Sequence, residues 1–363
     1  MTDRLRAGII GAGFIGGVHA HAVRAAGGVV SRVAGSTPDS GAQAARRLGA
    51  EHVAGSAEEL IAADDVQVVH ICSPNSTHVR FAELALRAGK PVICEKPLAT
   101  TPEDAGRLVA AAASAGVVAA VPFVYRFYPT VREARARIAT QDGPLWLLHG
   151  SYLQDWLAHR DDTNWRVDPA TGGGSRAFAD IGVHWCDLME FATGHRITRL
   201  TSRFVTVHGK RGGEPGATPV DTEDAVTLLF ETDRGAVGSV VISQVSPGRK
   251  NRLWFSFDGA SASYSFDQEV PDTLWIGGVA ESRIVPRDPS TMSAEATRHA
   301  TLPAGHPYGY QDCFNAFVAD TYAAIDGAAP DGLPTFHDGL RAAVLTAAVI
   351  ESAADQTWVE VPT

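Results

Sequence analysis

Cysteine is scarce in this chain. The four thiols, Cys72, Cys94, Cys186 and Cys313, are widely scattered through 363 residues and form no CxxC pair, which argues against both a disulfide scaffold and a zinc framework. Positive charge is also in the minority, with 31 Lys and Arg against 41 Asp and Glu for a formal charge of −10. Basic residues gather nowhere beyond short pairs such as Arg46-Arg47, so nucleic acid and anionic membrane are not expected partners. No stretch approaches the roughly 18 uninterrupted apolar residues of a membrane span. Met1-Thr2-Asp3-Arg4-Leu5-Arg6 leads into a strand pattern without an apolar signal segment. These absences together predict a cytoplasmic protein.

What the chain does have is length and rhythm. A single hydrophobic core stops growing at about 250 to 300 residues, so 363 residues predict two domains. Leu5 to Ile10 is a short apolar run ending in Gly11-Ala12-Gly13-Phe14-Ile15-Gly16, and helix-compatible sequence follows to about Ala26. This is strand, glycine turn, helix. The first glycine of such a turn allows the tight bend, the second admits a pyrophosphate, and the third lets helix and strand pack closely. In a chain with 36 glycines the motif is weak by itself; its place on the first strand gives it force. The alternation continues with strands at 29–34, 66–72, 92–94 and 117–121 and helices at 39–48, 78–88 and 102–115. That pattern predicts an α/β fold, a doubly wound parallel sheet over residues 1–122.

Ligands of such sheets bind at the carboxyl ends of the strands. Here those loops are Gly11 to Gly16, Ser36-Thr37, Ser73-Pro74-Asn75 through His78, and Glu95-Lys96-Pro97. At the end of the second strand an acidic residue would select NAD and a basic one NADP. The chain has Gly35-Ser36-Thr37-Pro38, with Arg46 and Arg47 further along the next helix, so NAD and NADP both stay open.

From 123 to 363 the rhythm changes to β-rich runs, at 146–153, 200–207, 225–230, 236–243, 253–257 and 262–266. Turn chemistry at Thr232-Asp233-Arg234-Gly235 and Asp258-Gly259 predicts mostly antiparallel pairing in one open sheet. Such a face favours a homo-oligomer, a dimer or tetramer. Within this half Asp180, His184 and Asp187 stand at i, i+4 and i+7, placing a carboxylate, an imidazole and a second carboxylate on one helix face. Spacing alone allows a plain surface pair; Asp187 one turn on would fix the tautomer of His184 and raise its basicity. No third strong ligand stands at a metal spacing, so no metal is expected. Lys96, at a strand end beside the expected nicotinamide pocket, can hydrogen-bond a substrate oxygen and stabilise an alkoxide. His19 and His21 read as helix residues near the phosphate end, and His78 as lining the cofactor loop. A nucleotide turn with an acid/base set implies a dehydrogenase.

Taken jointly, the glycine turn, Pro74-Asn75-Ser76-Thr77-His78, Glu95-Lys96-Pro97, Arg126-Phe127-Tyr128-Pro129 and Asp180-Ile181-Gly182-Val183-His184 resemble the Gfo/Idh/MocA oxidoreductases over nearly the whole chain. The resemblance implies a Rossmann domain followed by an α/β domain with an open, mostly antiparallel sheet, acting on sugars, polyols or their derivatives. By position it implies that Lys96 is the catalytic lysine, His184 the general acid/base, and Asp180 the carboxylate that holds a substrate hydroxyl. It also places Arg126, Trp165 and Arg166 on the substrate side. A regulator that binds sugar or dinucleotide without chemistry is the contrasting reading, and the retention of Lys96, Asp180 and His184 argues against it.

Overall fold

The computed structural model describes residues 4–212 and 217–362. They form two compact units: residues up to Val124 together with Tyr310–Ala343, and Tyr125–Gly309 together with residues from Val344 on.

The first unit is built on a six-stranded parallel sheet of β1 (Arg6–Ile10), β2 (Val29–Ala34), β3 (His52–Val53), β4 (Val68–Ile71), β5 (Val92–Cys94) and β6 (Ala119–Ala120). The order is β3-β2-β1-β4-β5-β6. Strand order therefore reverses between β1 and β4, which is where a doubly wound sheet opens a crevice for a ligand. β4 and β5 are buried along their whole length, as strands covered on both faces must be. The helix α1 (Phe14–Ala25) follows the glycine turn. Thr37 and Thr101 cap the helices after β2 and β5 by accepting the N–H groups of Ser40 and Asp104, each with a proline at the helix start.

A single cut at 122/123 leaves out one return of the chain. The helix Tyr310–Ile325 packs on α1, where Gln311 Nε2 donates to Val18 O at 3.2 Å and His21 meets Asn315 at 3.0 Å. Thr335 then bridges to Ala120 at the β6 edge. No local pattern announces a contact over almost 300 residues; the cause is tertiary packing.

The second unit carries a nine-stranded open sheet in the order Ser282–Pro286, Thr273–Gly277, Ser263–Asp267, Arg252–Gly259, Leu145–Leu153, Val237–Ser243, Ala225–Thr232, Ile197–Val205, Val359–Glu360. Every pairing is antiparallel except that of Leu145–Leu153 with Val237–Ser243. Both predicted turns join antiparallel neighbours. One face is core: Val226, Leu228 and Phe230 alternate inward and are buried together with Val240, Ile242, Phe255 and Phe257 of neighbouring strands. Trp185 docks a helix on that face, donating Nε1–H to Trp254 O at 2.9 Å. Sequence periodicity did not mark the two strands at one edge of this sheet, Thr273–Gly277 and Ser282–Pro286.

Candidate active site

In the first unit the loops expected to hold a dinucleotide are tied to one another by direct contacts. Gly11 has φ +105°, and a Cβ there would lie 2.5 Å from Cys72 O, so only glycine lets this turn pass beside the end of β4. At Gly16 a Cβ would lie 2.3 Å from Gly11 O, which is the close helix–turn packing the third glycine permits. The start of α1 has no side-chain cap and no acidic residue in its first turn. Its N–H groups are thus available to an anion, and the helix dipole favours one. Phe14, 80 % exposed, lies at that helix start.

At the tip of β2, Thr37 and Ser40 form a reciprocal cap, so the Thr37 hydroxyl is engaged in starting the next helix, while Ser36 stays exposed. Sequence reasoning left Arg47 out of the site. In the structure its guanidinium donates to Ala12 O of the glycine turn, a reach set by the pitch of the helix Pro38–Leu48 that no local motif signals.

Beyond β4, Ser73 Oγ and Thr77 Oγ1 lie 2.6 Å apart and the Thr77 hydroxyl donates to Pro74 O at 2.7 Å, forming a tight turn in which Asn75 is buried. His78 is a clip. It presents Nδ1 to Pro97 O and Nε2 to Ser73 O, both at 2.8 Å, joining this turn to the loop after β5. Burial lowers the affinity of His78 for a second proton more than the two carbonyls raise it. The neutral ring therefore donates to one of the two at a time. In the loop after β5 the Lys96–Pro97 bond is cis, and Glu95 is buried, its Oε2 accepting the Lys96 backbone N–H at 3.2 Å.

The second unit holds the acid/base segment. Sequence spacing predicts one continuous α-helix through Asp180, His184 and Asp187. Instead Phe178–Gly182 is a π-helical turn, and the α-helix Val183–Thr193 begins after it. Gly182 is what allows the wide turn, since a Cβ there would lie 2.3 Å from the Phe178 ring. The extra width changes which residues share a face. Asp180 is held by both oxygens: Arg166 Nε lies 3.2 Å from Oδ1, and Gln244 Nε2 donates to Oδ2 at 2.8 Å. The Arg166 guanidinium also stacks 4.3 Å over the Trp165 ring, so Trp165, Arg166 and Asp180 form one cluster.

His184 is buried, its ring edge-on to Tyr125 at 5.1 Å. Tyr125 belongs to a closed ring of hydrogen bonds: Asn251 Nδ2 donates to the Tyr125 oxygen at 3.4 Å, the two tyrosine hydroxyls of Tyr125 and Tyr152 are bonded to each other, and Tyr152 donates to Asn251 Oδ1 at 2.7 Å. Gln154 Nε2 donates to the same Asn251 oxygen at 2.7 Å, and Gln154 Oε1 accepts the Trp156 indole N–H at 2.7 Å. Asn251 and Gln244 had no sequence signal, being single amides just beyond strands.

Asp187 and Arg126 stand differently from their sequence-based roles. Asp187 accepts a two-bond fork from Arg126, Nε to Oδ2 at 2.8 Å and Nη2 to Oδ1, with both side chains buried. Arg126, expected on the substrate side, thus holds a carboxylate of its own unit and lies 5.0 Å over the Phe191 ring. Among the described residues no group of three or more His, Cys, Asp or Glu is placed to hold a metal, and no helix is long and apolar enough to cross a membrane.

Comparison with known proteins points one way. Residues 5–123 match an oxidoreductase family described as having an NAD-binding Rossmann fold, and residues 131–265 match the GFO/IDH/MocA C-terminal domain. The chain is 32 % identical to a levoglucosan dehydrogenase of Pseudarthrobacter phenanthrenivorans, covering 99 % of both, and 26 % identical to an inositol 2-dehydrogenase of Rhizobium meliloti, covering 98 % of this chain and 99 % of that one. Among solved structures, levoglucosan dehydrogenase in complex with NADH and L-sorbose superposes with a TM-score of 0.93 at 31 % identity over 99 % of each chain. An inositol dehydrogenase homolog complexed with NAD+ from Azotobacter vinelandii gives 0.86 at 26 % over 99 % of this chain and 98 % of that one.

Proposed function

The chain belongs to the Gfo/Idh/MocA oxidoreductases, and from that premise we propose that it oxidises a hydroxyl of a sugar, polyol or sugar derivative, or runs the reverse reduction, with NAD or NADP. The observation that carries the substrate class is the arrangement around the π-turn: a carboxylate fixed by Arg166 and Gln244, a buried imidazole, and the Tyr125, Tyr152, Asn251 and Gln154 array, all suited to a ligand rich in hydroxyls. Full-length likeness to a levoglucosan dehydrogenase supports the same class.

The dinucleotide fits the first unit on structural grounds. The uncapped start of α1 and the Gly11–Gly16 turn, Gly13, Phe14 and Ile15 included, would hold its pyrophosphate. Ser36 and Thr37 would lie toward the ribose, and Ser73, Pro74, Asn75, His78 and Glu95 would shape the loops beside the nicotinamide. When bound, that ring supplies a hydride acceptor or donor. The protein supplies the rest. His184 takes the hydroxyl proton in oxidation, and the Lys96 ammonium donates to the reacting oxygen and stabilises it as negative charge develops. Asp180 accepts a hydrogen bond from a substrate hydroxyl, with Arg166 and Trp165 beside it. No acidic residue at positions 36 and 37 repels a 2′-phosphate, so both cofactors belong in the test.

That test is a panel headed by levoglucosan, myo-inositol and D-xylose, run with NAD+ and NADP+ on the full chain while following reduced nicotinamide. Turnover with at least one member is expected. Dinucleotide binding without turnover on any sugar or polyol would favour the regulator instead.

Two further readings accompany this one. The outer face of the large sheet exposes Leu147, Leu229, Val237, Val241, Trp275 and Ile284, an apolar surface that a second copy would cover, giving a homodimer or homotetramer. Light scattering returning a monomer at micromolar concentration would reject that assembly. The four cysteines are free and buried, which fits a reducing cytoplasm; fractionation of the native host tests it.

A further inference from the structure

The first unit contains a buried line of polar side chains that the chemistry above does not use. His19 on α1 and His70 on β4 are both fully shielded from solvent, and their Nδ1 atoms face each other at 2.9 Å. His70 continues through Nε2 to the Tyr322 hydroxyl at 3.0 Å. His19 continues through Nε2 to Glu95 Oε1 at 3.0 Å, and the other oxygen of that carboxylate takes the backbone N–H of Lys96. The rings pack tightly as well: His19 lies edge-on to His70 at 5.2 Å and to Phe314 at 5.1 Å.

Hydrogen-bond chemistry fixes the direction of this line. An ionised carboxylate only accepts, so His19 donates from Nε2. A neutral His19 then has only a lone pair at Nδ1, so His70 donates from Nδ1, and its Nε2 accepts from the Tyr322 hydroxyl. One placement of protons satisfies all three contacts with both rings neutral. Burial first, and then its neighbour His19, holds His70 well below the ordinary imidazole range, while burial pushes the Tyr322 phenol well up. The Cys72 and Cys94 thiols near Glu95 are pushed up by burial and by its charge. The far end of the line is buried, and burial favours the neutral forms of His70 and Tyr322. The line is thus a row of fixed donors ending on the residue before Lys96.

We propose that Tyr322, His70 and His19 are positioning residues for Lys96, locking Glu95 so that its second oxygen holds the Lys96 backbone where the ammonium must act. The inference rests on the reading of Lys96 as the group that stabilises the reacting oxygen. It also gives the helix Tyr310–Ile325 a task, because that helix supplies Tyr322 to a line that ends on the loop after β5.

The test uses the full chain with its best substrate from the panel. His70→Leu removes the donor to His19 and frees that ring to turn a lone pair toward Glu95. Turnover should fall roughly 10- to 100-fold, the range for losing a partner that orients an active group, with dinucleotide affinity within about twofold. His70→Gln, whose amide can donate to His19 and accept from Tyr322, should recover most of the loss. The decisive readout is the pair of double variants: in a Lys96→Ala background, His70→Leu and Tyr322→Phe should cost almost nothing more. Equal losses with and without Lys96, or wild-type turnover in folded His70→Leu, would overturn the positioning role. Wild-type turnover in Lys96→Ala alone would overturn the reading of Lys96 itself, and the positioning role with it. Should His70→Leu fail to fold, Tyr322→Phe removes a single hydroxyl and carries the same comparison.

Discussion

Asp187→Asn separates two roles that the sequence could not tell apart. Spacing on a helix places Asp187 behind His184, as the carboxylate that sets its tautomer, whereas the structure gives Asp187 a bidentate Arg126. The side chains of Arg126 and Asp187 are only 9 % and 8 % exposed. Arg132 and Arg135 stack on the same Phe191 ring at 5.0 and 4.5 Å and share Glu295, so Asp187 offsets charge in a neighbourhood of three guanidinium groups. Removing one partner of a buried pair costs about 3–5 kcal/mol. Asparagine keeps one acceptor but sets an amide N–H against a guanidinium, so a loss near the lower end, about 3 kcal/mol, is expected. At about 2–4 °C per kcal/mol for a unit of this size, the melting point should fall by roughly 6–12 °C. Turnover of the folded variant should stay within about threefold, and the acidic limb of the kcat/KM profile should not move. Thermal unfolding and that profile, measured on one preparation, decide it. Unchanged stability with a displaced acidic limb would refute the assignment and return Asp187 to His184.

Three other outcomes follow from the structure. If, as proposed, the neutral His184 imidazole accepts the proton, His184→Asn should abolish the acidic limb of the oxidation rate together with most of the rate; a limb that survives intact in the pH profile of kcat/KM would move that role elsewhere. Gly16→Ala brings a Cβ to 2.3 Å from Gly11 O and should weaken dinucleotide binding at least tenfold, or prevent folding; titration of dinucleotide fluorescence reads it, and an unchanged Kd would contradict the turn geometry. Burial raises the Asp65 carboxyl, but the Ser31 hydroxyl and Arg32 guanidinium more than offset it and leave it at about 2. A depressed acid stabilises the fold above its unfolded value near 3.8 and stops doing so as pH falls through about 2. Asp65→Asn should therefore cost about 1–2 kcal/mol at neutral pH and little at the acid end, and denaturant midpoints measured across that range check the slope.

Much of the first unit was legible in the sequence because its signals are local. Strands alternate with capped helices, and within the turn itself the positive φ of Gly11 and the approach of Gly16 to Gly11 O both call for glycine. The position of Glu95-Lys96 at a strand end was likewise legible from residue type and neighbours. The candidate site was not legible where geometry depends on distant packing. The π-turn at Phe178–Gly182 breaks the assumed period, so a face drawn through Asp180, His184 and Asp187 could not foresee Arg126 at Asp187 or Gln244 at Asp180. Arg47 reaches the glycine turn only because of where a helix lies. His19 and His70 look like ordinary helix and strand residues until the fold sets their Nδ1 atoms face to face and brings Tyr322, more than 250 positions after His70, to the end of the line.

In the proposed reaction a hydride passes directly between a sugar or polyol carbon and a nicotinamide. Its most direct test is isotopic: a turnover substrate deuterated at its carbinol carbons is oxidised by the full chain, and the reduced cofactor is examined by mass spectrometry and NMR. Direct transfer places one deuterium per turnover at C4 of the nicotinamide and releases none to water. Oxidised sugar accompanied by unlabelled reduced cofactor, or by deuterium in the solvent, would contradict it.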